Sequence, residues 1–185
     1  MIILLILVVS IIIALIRHGK LSRFADIHLR WRGIIILGFL VQVLIFSNSW
    51  QASPDLKPLT PYLYIASMGL LLAALVPSFH IPGMRLITFG LCLNFVAILF
   101  NGGYMPASPE AFALAGHSGL SPGQVTNNSI VMHPGTQLFF LCDIFAIPKG
   151  FIFPNVFSIG DVLLTIGAVY LTQKALVVSP HPPPA

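Results

Sequence analysis

Charge is what this chain has least of. Five acidic and nine basic residues among 185 amount to 8%, against about 25% in soluble globular proteins. With 57% hydrophobic residues and a mean hydropathy of +0.95, the deficit argues against a soluble domain and predicts a membrane protein. Cysteine is scarce too. Cys92 and Cys142 stand alone, with no CxxC and no His/Cys cluster, so no disulfide framework is expected. The six histidines (18, 28, 80, 117, 133 and 181) include no i, i+4 pair and no HExxH, which predicts no metal site and no cofactor. Five of the nine basic residues (Arg17, Lys20, Arg23, Arg30, Arg32) fall in one short loop. They read as a topology signal beside anionic headgroups, not as a nucleic-acid surface, because no arginine-aromatic interleaving accompanies them.

What is present is a series of apolar runs. Residues 2–16 (IILLILVVSIIIALI) are unbroken and preceded by no basic residue, so a retained first helix is expected in place of a cleaved signal peptide. Further spans are predicted at 33–48, 61–78, 85–100 and 157–178. The fold class is therefore all-α: a single polytopic transmembrane bundle over 1–178, with five helices and an extracytoplasmic cap, 101–156, between helices four and five. Residues 179–185 read as a flexible Pro-rich tail. If the 17–32 loop is cytoplasmic, Arg17, Lys20, Arg23, Arg30, Arg32, Arg85 and Lys174 lie inside and only Lys57 and Lys149 outside. That places the N-terminus outside and the C-terminus inside a bacterial cytoplasmic membrane.

Two of the five acidic residues stand among apolar neighbours in FFLCDIFAIPKGFIFPNVFSIGDVLL, residues 139–164. Burying a carboxylate is expensive without a partner, so Asp143 and Asp161 are the candidate functional pair. Placed close together in low dielectric, one would hold a proton while the other stayed ionised, the acid and base of a hydrolysis by activated water. The competing reading of Asp161 is structural. Ser158-Ile-Gly-Asp161 fits the S-x-x-[DE] capping box. Asn101, Gly103 and Asn155, flanking the cap, are candidate substrate-binding positions. Gln42 and Asn94 lie within spans and read as interhelical hydrogen-bonding residues.

The strings NGGYMP, FLCDIFAIP and NVFSIGDVLLTIG resemble those of an uncharacterised family of small bacterial multi-pass membrane proteins, a resemblance that implies no activity. A second, partial resemblance is to the lipoprotein (type II) signal peptidases, membrane aspartyl peptidases with the motifs N-x-G-A-A-F, G-N-x-x-D-R and F-N-x-A-D. Asn101 and Gly103 match the first, Asp143 the second, and Phe157 and Asp161 the third. Ile144 stands in place of the Arg and Ser158 in place of the Asn. The resemblance implies a catalytic role for Asp143 and Asp161.

The leading expectation is a partner- or lipid-binding subunit or assembly factor whose working face is extracytoplasmic, with membrane lipids and proteins within the membrane as partners. An aspartyl hydrolase is the alternative. A small transporter is the third reading, for which Gln42 and Asn94 would have to supply the polar path.

Overall fold

The computed structural model describes residues 2–177. The Pro-rich tail expected at 179–185 lies outside them. Each apolar run becomes a helix: α1 (Ile2–Ile16), α2 (Arg32–Ile45), α4 (Thr60–Leu75), α5 (Met84–Phe100) and α7 (Ile159–Val177), with the short α3 (Asn48–Ala52) after α2. The chain is mostly helical. Two stretches, Lys57–Ser78 and Ile159–Val177, are long and apolar enough to cross a membrane, with mean hydropathies of 1.8 and 1.2. α1, α2 and α5 are also apolar but shorter, at 15, 14 and 17 residues.

Neighbouring helices are held by matched small surfaces and by side-chain hydrogen bonds. α5 and α7 run antiparallel in close contact. A Cβ at Gly90 would strike the carbonyl oxygen of Gly160, and one at Gly167 would strike that of Gly83. Only glycine lets the two backbones approach so closely. α1 runs parallel to α7. Gln173 donates to both the carbonyl and the hydroxyl of Ser10, and the Lys20 amide donates to the Leu176 carbonyl. Gln42 of α2 donates to Ser67 of α4 at 3.2 Å. The main apolar cluster joins Ile45, Tyr64, Met68, Ala97 and Ile98 to Met105 and Cys142, so the cap is seated on the helix ends by the same core that binds α2, α4 and α5.

The region between α5 and α7 departs from the all-α expectation. It folds as two small sheets and a short helix, α6 (Pro109–Leu114). β1 (Met105–Ala107) pairs in parallel with β3 (Ser129–Val131), and β2 (Val125–Thr126) pairs antiparallel with β3. β4 (Phe145–Ile147) and β5 (Asn155–Phe157) form a separate antiparallel pair. The reason lies in local chemistry. Asn127 turns β2 into β3 with φ of 56°, a left-handed conformation that asparagine tolerates better than most residues. Ser108 caps α6 by accepting from the Ala111 amide, and Pro109 fills its first position. Within 137–147 the chain makes a single 3-10 turn at Phe139–Leu141 before β4.

Candidate functional site

α7 begins as its sequence foretold. Asp161 Oδ2 accepts from the Ser158 amide at 3.0 Å, and Ser158 Oγ accepts from the Asp161 amide at 3.0 Å. This reciprocal pair satisfies two of the helix's free N–H groups and sets a carboxylate at the positive end of its dipole. A third residue closes the arrangement. Asn94, from α5, donates through Nδ2 to Asp161 Oδ1 and accepts through Oδ1 from the Ser158 hydroxyl, both at 2.8 Å. Its assignment as an interhelical hydrogen-bonding residue holds, and its partner is the candidate carboxylate itself. The signal was one asparagine inside LCLNFVAILF, which marks a polar contact without naming what it meets.

Asp143 reaches the same end of the bundle by another route. Its amide donates to the Pro106 carbonyl at 2.9 Å, and its own carbonyl accepts from the Ser108 amide at 3.0 Å, so its backbone lies along β1 like a further strand. The residue is 7% exposed, and its Oδ1 is buried with no hydrogen-bond partner. Burial, with the charge of Asp161 adding to it, pushes the Asp143 carboxyl up to about 8. Its proton is therefore retained through neutral pH. Asp143 and Asp161 thus sense one another electrostatically, while the hydrogen bonds of Asp161 go to Asn94 and Ser158. The neighbouring Cys142 thiol is pushed up to about 12, first by burial and then by Asp143, which leaves it a buried thiol and not a nucleophile.

The other candidate positions, Asn101, Gly103 and Asn155, have contacts of their own. Asn101 clamps the loop before the 3-10 turn. Its Nδ2 donates to the Ala97 and Gln137 carbonyls at 2.7 and 3.0 Å, and its Oδ1 accepts from the Gln137 amide at 2.9 Å. Gly103 sits at φ of 87° against Pro61, where a Cβ would collide. Asn155 lies in β5 and lines a cleft of about 300 Å³ with Phe112, His117 and Thr126, a cleft whose walls contain neither aspartate. Among the described residues no group of three or more His, Cys, Asp or Glu side chains has the arrangement of a metal site.

A second cleft, of about 340 Å³, does contain Asp161. It runs between α1 and α7 and beneath the β4–β5 pair, and its walls are Ile3, Ile6, Ile147, Phe157, Val162 and Ile166, with Thr165 and Asp161 as the polar members. Sequence reasoning missed this cleft because it depends on α1 lying beside α7, two segments at opposite ends of the chain. Its chemistry is that of an apolar slot leading to one carboxylate at a helix start.

No curated protein and no solved structure matches the chain. A family model described as a family of unknown function, DUF5317, matches residues 26–173, a stretch that runs from before α2 into α7 and includes the cap and both aspartates. The chain belongs to that family.

Proposed function

We propose that this is a multi-pass membrane protein of the bacterial cytoplasmic membrane that binds an amphipathic, lipid-like ligand at its extracytoplasmic end. The cleft between α1 and α7 carries the reading: an apolar slot of about 340 Å³ with Asp161 on its wall accepts a hydrocarbon chain and leaves a polar end beside the Asn94, Ser158 and Asp161 cluster. The ligand is a lipid or a lipid-anchored partner.

Membrane crossing by all five long helices is supported by what α2 leaves uncovered. Phe39, Leu40, Val43 and Leu44 are between 55% and 70% exposed, a continuous apolar face that water would penalise and acyl chains would not. The 14- and 15-residue helices are short for a hydrocarbon core of about 30 Å, and local thinning with snorkelling of flanking Lys and Arg accommodates such spans. Seven of the nine basic residues gather in the segments that lead away from the cap, which favours the cap outside and both α1 and α7 ending inside.

The test is photo-crosslinking in membranes with a phospholipid bearing a diazirine on its acyl chain. Label is expected on peptides of α1 and α7, and Thr165→Trp, which fills the slot, is expected to remove most of it. Unchanged labelling in the filled variant would sink the ligand site.

A hydrolase is the second reading, favoured by one observation: Asp143 is a buried acid whose Oδ1 has no hydrogen-bond partner and whose carboxyl feels the charge of Asp161, and two interacting carboxyl groups are what an aspartyl peptidase uses to activate water. Against it stand the hydrogen bonds that already occupy both Asp161 oxygens. Cleavage of a lipidated peptide by the wild type, lost in Asp143→Asn with the fold intact, would establish it.

A further inference from the structure

At the end of the molecule opposite the cap lies a cavity of about 340 Å³ that the carboxylate site does not use. Three segments enclose it: the 3-10 turn Leu21–Asp26, the turn that joins α4 to α5, and the last turns of α7. Its floor is isoleucine, proline and leucine. Its polar members are Arg23, Lys174, His28 and His80, faced by one carboxylate, Asp26.

The cations are held in place by contacts other than ion pairs. Arg23 donates from Nη1 to the Leu176 and Val177 carbonyls at 2.7 and 3.0 Å, which pins its guanidinium at the C-terminus of α7. The Lys174 ammonium stands 5.8 Å above the Tyr170 ring. His28 spends Nδ1 on the Asp26 carbonyl at 2.8 Å, which leaves Nε2 for another partner. Capping the carbonyls of α7 accounts for Arg23 by itself. It does not account for a second cation and two imidazoles around an open, apolar-floored space. The segments at this end also carry Arg17, Lys20, Arg30, Arg32 and Arg85, so seven basic residues meet a single acidic one. Such a concentration attracts anions, at about 1 kcal/mol per basic side chain beside an anionic lipid surface.

We propose that this cavity binds the phosphate-bearing headgroup of an anionic phospholipid from the leaflet at the basic end of the bundle. Charge complementarity selects the phosphate, and the apolar floor takes the glycerol and the first acyl carbons. A free phosphate ion gains nothing from that floor. The proposal rests on the membrane-crossing reading above, since it sets the cavity at headgroup depth.

Native mass spectrometry of the full chain in detergent, with phosphatidylglycerol, phosphatidylcholine and inorganic phosphate as separate probes, tests it. Phosphatidylglycerol is expected to be retained in preference to phosphatidylcholine. Lys174→Gln is expected to weaken that retention about fivefold, the change that the loss of one basic contact of this size produces, and His80→Gln is expected to weaken it as well. Neither variant touches the Arg23 clamp, so neither removes the support of α7. Equal retention of the two lipids, or unchanged retention in both variants, overturns the site. Displacement of the lipid by millimolar inorganic phosphate shows a free-anion site and overturns the lipid assignment. Alkaline carbonate extraction separates the two levels of failure. A chain released from membranes overturns the crossing reading along with this one, whereas a chain retained in membranes without lipid preference overturns this one alone.

Discussion

Asn94 and Asp161, 67 residues apart, share a 2.8 Å hydrogen bond, and the Ser158 hydroxyl closes the loop by donating to Asn94 at 2.8 Å. One side chain of α5 is thereby built into the N-terminal cap of α7. Replacing Asn94 with Ala leaves Asp161 Oδ1 without its donor and the Ser158 hydroxyl proton without its acceptor between two helices. The expected cost is about 1–3 kcal/mol, read as a lowered thermal unfolding midpoint in detergent. An Asn94→Ala protein as stable as wild type would show that the contact is idle.

The cap itself is separable from the charge. Asp161→Ala removes the acceptor for the Ser158 amide and is expected to cost about 0.5–2 kcal/mol. Asp161→Asn keeps an oxygen acceptor and is expected to recover most of that loss. If the two variants are equally destabilised, the charge of Asp161 matters more than its hydrogen bonds.

Asp143 makes stability depend on pH in a defined direction. Its carboxyl titrates near 3.8 when unfolded and is pushed up to about 8 in the fold. Between those values the folded protein keeps a proton that the unfolded chain releases. Stability from this group is therefore full below about pH 4 and lost as pH rises to about 8, a change on the order of a few kcal/mol. Thermal unfolding of the wild type is expected at lower temperature at pH 8.5 than at pH 5.5. Asp143→Asn, which carries no charge at either pH, is expected to flatten the difference and to be the more stable protein at pH 8.5. A wild type indifferent to pH over this range would contradict the burial of a lone carboxyl.

Gly160 is where helix contact and cap meet. A Cβ there strikes Asn94 Oδ1 and the Gly90 carbonyl. Gly160→Ala is expected to push α5 from α7, break the Asn94 contact and destabilise by about 1–3 kcal/mol, despite alanine's better helix propensity. Gly33→Ala, at a helical position with open space around its Cβ, is the control and is expected to be neutral or stabilising. Equal effects at the two positions would mean that close packing between α5 and α7 is not what holds them.

Much of this protein is legible along the chain. α1 coincides with its apolar run, and α2, α4, α5 and α7 lie within a few residues of theirs, because each run is long, nearly free of charge and bounded by polar or Pro and Gly residues. The capping box at Ser158 and Asp161 was readable for a similar reason: its donors and acceptors lie within three residues of one another. The cap was not readable as sheet. Its strands are two or three residues long, too short for a period to register, and β1 finds its parallel partner more than twenty residues later. Asn101 was legible as a polar residue at a helix end, yet its work of clamping Gln137 depends on a loop brought back from a distance.

Sequence by itself therefore determined the helices, their likeness to membrane spans, the charge asymmetry and the local cap at α7, all consequences of near-neighbour chemistry. Tertiary structure alone decided that Asn94 joins that cap, that Asp143 lies buried with an unpaired oxygen, and that α1 and α7 enclose an apolar cleft beside Asp161. Each of these depends on which segments meet across the bundle, and packing, not local pattern, chooses that.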